Sequence, residues 1–136
     1  MAAVPQIDIV AAKRVPFDDN FASEGPNHST AAALMEIRAE PGGQGAPLVS
    51  LGMSSSGGQG IVLTYDAAYP DPDGGAAFAA TICRIIINET TLEQLAYGAD
   101  PAASVVLFYD IHLNPVSGKK FVLARGRFVV EPGVTL

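Results

Sequence analysis

Cysteine occurs once in this 136-residue chain, at Cys83, and tryptophan does not occur at all. One thiol cannot close an intramolecular disulfide, so a secreted, disulfide-framed module is disfavoured and a reducing compartment fits. Charge is scarce too: 16% of residues are charged, against about a quarter in ordinary globular domains. Only eight are basic and the net charge is -6, which disfavours a general nucleic-acid binder because phosphate neutralisation needs a basic face. No apolar run approaches the roughly 18 residues of a membrane span, and the start "MAAVPQIDIV" lacks a basic leader followed by an apolar core. The expectation is a chain soluble and cytosolic at synthesis, without a membrane partner. The sequons at Asn27 and Asn88 then carry no sugar, since glycosylation requires a secretory route.

What the chain has in quantity is small and apolar residues, with 49% hydrophobic and 14 glycines. Either some apolar surface is meant for a partner, or alanine and glycine inflate the count without making sticky patches. The length suits one domain that buries about two-thirds of its unfolded surface.

The dominant period is two, with turn residues between segments, the pattern of an antiparallel all-β domain. In "LMEIRAE" Met35, Ile37 and Ala39 share one face and Glu36, Arg38 and Glu40 the other. "PGGQG" breaks the chain, "PLVSLGM" aligns Val49, Leu51 and Met53, and "SSSGGQG" leads to "IVLTYD", where Ile61, Leu63 and Tyr65 alternate with Val62 and Thr64. "FAATICRIIIN" is apolar on both faces, as a central strand is. "TTLEQLAYG" is the helical hint, with capping-box spacing from Thr90 to Glu93 and from Thr91 to Gln94, and Gly98 as a C-terminal cap. "SVVLFYDIHL" puts Val105, Leu107, Tyr109, Ile111 and Leu113 inward, and the last strand begins at Lys119. There Phe121 and Leu123 have the opposite parity to Phe128 and Val130, and Gly126 suits a β-bulge that resets the register.

About seven strands with one short helix before the penultimate one predict an immunoglobulin-like β-sandwich, a small barrel being the competitor. Residues 1–27 are read as an N-terminal arm or first strand, and 28–136 as the sandwich. "QIDIV" could pair in its own sheet or with a neighbouring subunit, and Pro5 and Pro16 suit an edge or linker.

Signals for chemistry are sparse. Asp66, Asp71 and Asp73 in "DAAYPDPDGG" are weak calcium candidates, because the EF-hand spacing and its closing glutamate are missing. "SSSGGQG" lacks the Gly-Lys-Ser/Thr of a phosphate loop. His28 and His112 with one thiol give no zinc spacing. Asp110 and His112 share a strand face, yet no serine or cysteine stands in a nucleophile-elbow context beside them. Cys83 reads as a core filler. No catalytic residue, no cofactor and no metal are assigned, and the interface candidates are Ile7, Ile9, Lys119, Lys120, Arg125 and Arg127.

The second half carries a further pattern. "GIVLTYD", "TICRIIINETTLEQL" and "LFYDIHLNPVSGKKFVLARGRFVVEPGVT" resemble a family of small phage and prophage proteins found near tail, baseplate and tail-fibre components. The matching residues are Tyr109, Asp110, Ile111 and Leu113; Gly118; Leu123, Arg125, Gly126 and Phe128; and Val130, Pro132, Val134 and Thr135. "MEIRAEPGGQGAPLVSLGM" resembles that family's early strand pair, so the likeness spans about residues 34–136, while the segment through Asn27 and the loop "YPDPDGGAAF" are longer than the family pattern. The resemblance implies an immunoglobulin-like sandwich acting as a structural or adaptor component of a virion, without enzymatic activity. It would be made in the host cytoplasm and assemble with other virion proteins as a homo-oligomer. Capsid decoration is a close variant. A carbohydrate- or receptor-binding module built on the "SSSGGQG" and "YPDPDGG" loops is the rival from another class, and an enzyme using His112 or Asp110 is a third.

Overall fold

The computed structural model describes residues 6–13, 15–40, 46–54, 58–95 and 103–132. Eight strands, β1 (Ile9–Ala12), β2 (Phe17–Glu24), β3 (Ala32–Arg38), β4 (Val49–Leu51), β5 (Gly60–Tyr69), β6 (Phe78–Ile87), β7 (Val105–Asn114) and β8 (Phe121–Glu131), form two sheets, with one short helix, α1 (Glu89–Glu93), before β7. The five-stranded sheet runs β1-β8-β7-β3-β4 and the three-stranded sheet β2-β6-β5. The chain changes sheet after β1, β2, β4 and β6, so the pairings β1–β8, β2–β6 and β3–β7 join strands distant in sequence, while β3–β4, β5–β6 and β7–β8 join consecutive ones. This is the crossing pattern of an immunoglobulin-like sandwich. Neither the "PGGQG" break at residues 41–45 nor Gly98 lies within the described residues.

Alternation builds the core. Met35 and Ile37 of β3, Leu107, Tyr109, Ile111 and Leu113 of β7, and Phe128 and Val130 of β8 face Ile61 and Leu63 of β5 and Cys83, Ile85 and Ile87 of β6. Each large apolar side chain buried there contributes about 1.5–3 kcal/mol. β6 is the centre of its sheet, bordered by β2 and β5, as its two apolar faces require.

Five features depart from the sequence reading. First, one pairing is parallel: Ile9–Ala12 run alongside Phe128–Glu131, so the sheets are not antiparallel throughout. Second, residues 17–24 form a strand that alternation does not announce, because "FDDNFASE" sits at a sheet edge with half its residues exposed and none fully buried. Residues 9–24 thus supply two strands of the sandwich.

Third, the last strand begins at Phe121, and Lys119 and Lys120 lie exposed in the turn before it. Its bulge falls at Leu123, where the register steps from Ile111↔Ala124 to His112↔Val122, leaving Leu123 and Ala124 both buried. Gly126 has another task. It faces the backbone of Ile7, and a Cβ there would fall on the Ile7 carbonyl.

Fourth, Tyr65 and Met53 are 37% and 45% exposed, although they alternate in phase with the buried Ile61 and Leu63 and the buried Val49 and Leu51. Both lie at sheet margins: Met53 makes a single bridge to Ile61, and among the described residues no strand pairs with β5 on the side away from β6. Fifth, the helix cap is Asn88, without a side-chain cap hydrogen bond. Thr91 instead donates its hydroxyl to Gln59 Oε1 at 2.7 Å, since the helix starts one residue before the first predicted cap.

Candidate functional site

The outer face of the five-stranded sheet carries the densest polar group. In cross-strand register, Glu36 pairs with Asp110 and Asp110 with Arg125, while Arg38 pairs with Phe108 and Phe108 with Arg127. These side chains, with Gln6, Asp8 and Glu40, border a groove of about 550 Å³. Three of its acids already face cations or a histidine. Arg127 donates to Asp8 Oδ2 through Nη2 at 2.7 Å and through Nε at 3.2 Å, and its backbone N–H donates to Asp8 Oδ1. Those hydrogen bonds hold the Asp8 carboxyl below its ordinary value. Arg38 donates to Glu36 at 3.2 Å. His112 Nε2 lies 3.2 Å from Asp110 Oδ1, a shielded oxygen that accepts no well-aligned hydrogen bond among the described residues.

The interface candidates therefore divide. Arg125 and Arg127 stand exposed on the groove, as an alternating strand places them, and Lys119 and Lys120 are exposed beyond its end. Ile9 is 8% exposed and part of the core, because it lies on the core-facing side of the edge strand β1. Ile7 is half-buried, its N–H donating to Arg125 O at 2.9 Å and its carbonyl accepting from the Tyr109 hydroxyl at 2.5 Å. "QIDIV" is thus paired within its own chain.

The aspartates of the acidic loop are turn formers. Asp66 Oδ1 accepts from Ala68 N and Asp71 Oδ1 from Asp73 N, both at 2.9 Å, the Asx geometry that closes such loops. Among the described residues no group of three metal-ligating side chains forms. On the other sheet Arg84 grips Asp18 with two hydrogen bonds, at 2.9 and 2.7 Å, which lowers the Asp18 pKa. Cys83 is buried in β6, and desolvation pushes its thiol up to about 12, so it stays protonated and unreactive at neutral pH.

Sequence reasoning missed two features. Lys13 is 1% exposed, with its Nζ donating to Leu95 O at 2.5 Å and Glu93 O at 3.3 Å. A cation at the end of α1 satisfies carbonyls that a helix terminus leaves open. A single lysine between strands carries no pattern that would announce this.

The second feature is the edge of β5. Ile61 exchanges backbone hydrogen bonds with Gly52 O and Ser54 N, so its N–H and C=O point away from β6. In an antiparallel ladder that orientation repeats every second residue. Leu63 and Tyr65, opposite Cys83 and Thr81, therefore also present their backbone groups outward. Residues 64–68 are exposed, and no backbone hydrogen bond is made from Leu63 or Tyr65 on that side among the described residues.

No family model matches the chain, and no curated protein matches it. Among solved structures, the crystal structure of the periplasmic chaperone SfaE is similar over 98% of this chain at 12% identity and a TM-score of 0.41. The chain spans 59% of the length of that structure.

Proposed function

We propose that the chain is a non-enzymatic structural or adaptor component of a phage or prophage virion, in the tail or baseplate region. It works by protein–protein assembly, is made in the host cytoplasm and ends in the particle. The observation that carries this reading is where free binding capacity lies. Asp8, Asp18, Glu36, Asp66 and Asp71 are engaged with neighbouring guanidiniums or with turn backbone, whereas the backbone of the β5 edge at Leu63 and Tyr65 is open among the described residues. Side chains tied up in local structure do little chemistry, and an open edge adds strands. Most of the C-terminal pattern that resembles the phage family lies on β7 and β8, adjacent strands inside the five-stranded sheet, which suits a body carrying contacts at its margins; Val134 and Thr135 lie outside the described residues.

The test is co-purification. Particles released by host cells that encode the chain are banded by density, separated into heads and tails, and quantified by mass spectrometry. The chain is expected at a fixed copy number in the tail fraction; recovery with heads would favour capsid decoration. Its confinement to the particle-free fraction would overturn the reading. The groove beside Arg125 and Phe108 supports a second reading, a receptor- or carbohydrate-binding module, which glycan-array binding lost in Arg125→Ala would favour.

A further inference from the structure

We infer that the β5 edge is a self-pairing surface: two copies of this chain join antiparallel through Leu63 and Tyr65, with Thr64 on the two-fold axis, into a six-stranded sheet. This deepens the assembly reading and rests on it for its biological purpose, but not for its chemistry.

The argument begins with the spacing of the open groups. The outward N–H and C=O belong to residues two apart, Leu63 and Tyr65. An antiparallel copy can answer both at once only if Leu63 faces Tyr65 of the second copy and Tyr65 faces Leu63. Each such pair exchanges two hydrogen bonds, so four form around the axis. Self-complementarity of this kind is what a two-fold interface needs.

The ends of the strand fix the register. On one side the outward groups of Ile61 are already taken by Gly52 and Ser54. On the other the ladder is irregular between Asp66 and Tyr69. Pairing is therefore confined to Val62–Asp66, and the centre of that window is Thr64.

The side chains suit the same arrangement. Val62, Leu63, Thr64 and Tyr65 carry no charge and no proline, the devices that usually protect an edge. The exposed Tyr65 ring gains Leu63 of the second copy as its cross-strand neighbour, a favourable aromatic–aliphatic pair. Asp66 falls opposite Val62, whose neighbour on β6 is Arg84, so an acid of one copy enters the row of an arginine of the other. At the axis Thr64 meets Thr64 as a non-hydrogen-bonded pair, with Cα atoms about 4.5 Å apart. That separation is within the range a disulfide spans.

The experiment uses the full chain. Thr64→Cys, oxidised at micromolar concentration, is expected to give a disulfide-linked dimer. Val62→Cys, whose counterpart would lie four residues away across the axis, is expected to remain unlinked. Cys83 is buried and does not compete. In light scattering behind size exclusion, the parent chain is expected to show a dimer that grows with concentration. Tyr65→Pro removes one outward N–H without touching the bonds to β6 and is expected to run as a monomer, as is Thr64→Lys, which sets like charges opposite each other. A circular dichroism spectrum matching the parent's shows that each variant is folded. Equal cross-linking of the two cysteine variants, or a parent monomeric up to millimolar concentration, overturns the self-pairing. If Thr64→Lys is monomeric and still enters particles, self-pairing stands while the particle contacts lie elsewhere. If the cross-link forms but no chain is found in particles, the virion reading fails and the edge pairing survives.

Discussion

Gly126 is the residue whose role depends most on a neighbour far away in sequence. Its missing side chain lets Ile7 approach β8, where Ile7 binds Arg125 N–H to C=O and accepts from Tyr109. Gly126→Ala is expected to destabilise the chain by about 1–3 kcal/mol in chemical denaturation, the usual penalty of overpacking. Lys13→Met keeps the apolar stem and removes the ammonium from the Leu95 and Glu93 carbonyls. The buried Leu95 carbonyl and the partly buried Glu93 carbonyl then lose this donor, and a loss of about 1–3 kcal/mol is expected. Alkaline titration offers a third check. Burial raises the Cys83 thiol from 9.0 to about 12 and raises the Tyr109 phenol above its usual 10.0, with the charge of Asp8 adding to it. Above their ordinary values the unfolded chain has released protons that the folded chain keeps, so stability is whole below pH 9 and falls as pH rises. The slope is about 1.4 kcal/mol per pH unit for each group. Cys83→Ala is expected to move the onset of that fall up to near pH 10, where Tyr109 begins to act. Denaturant midpoints measured at one-unit steps from pH 8 read the shift.

Elements differ in how far the sequence announces them. β3, β6 and β7 were legible because each has one buried partner face or two, and burial writes itself as alternation or as an unbroken apolar run. Their inward residues Met35, Ile37, Cys83, Ile85, Leu107 and Ile111 are all core. β2 was not legible, because an edge strand needs little burial and "FDDNFASE" looks like a loop. The bulge was placed at Gly126 on the strength of glycine's freedom, whereas the register slip at Leu123 is made by two consecutive buried residues. Parallel pairing of β1 leaves no sequence trace, since it depends on where the chain crosses between sheets. Of the candidate site, Arg125 and Arg127 were legible as the wet face of β8, while the open edge was not, because the groups that matter there are backbone. β1 also sets a prediction. Deleting residues 1–12 strips β8 of one of its two partner strands and uncovers the Tyr109 side of the core, so the truncated chain is expected to lose cooperative thermal unfolding. An unchanged melting transition would mean that β1 is an accessory arm.

At the scale of the molecule, the sandwich carries paired charges at Asp8 and Arg127, Asp18 and Arg84, and Glu36 and Arg38, and its margins differ in how well they are closed. The five-stranded sheet ends in the short β4 on one side and in β1 on the other. In the three-stranded sheet β2 is an edge laced with Asp18 and Asp19, and β5 is a ten-residue edge with an uncharged centre. Charges on an edge repel added strands and an uncharged centre accepts them, so the molecule is built to be approached at β5. No helix of the described residues is long and apolar enough to cross a membrane. The low charge content that composition alone left open between a partner surface and mere small residues has two sources: alanine and glycine fill strands and turns, and the uncharged stretch at Val62–Tyr65 lies on a sheet edge, with Thr64 and Tyr65 exposed and Leu63 in the core.

Residue-resolved hydrogen exchange across a concentration series tests this account most directly. In dilute solution the Leu63 and Tyr65 amides should exchange freely while those of Val62 and Thr64, bonded to β6, are protected. Protection of Leu63 and Tyr65 should then rise with concentration as copies pair. Amides at Leu63 and Tyr65 that are protected at the highest dilution, or that stay unprotected at millimolar concentration, would contradict the account.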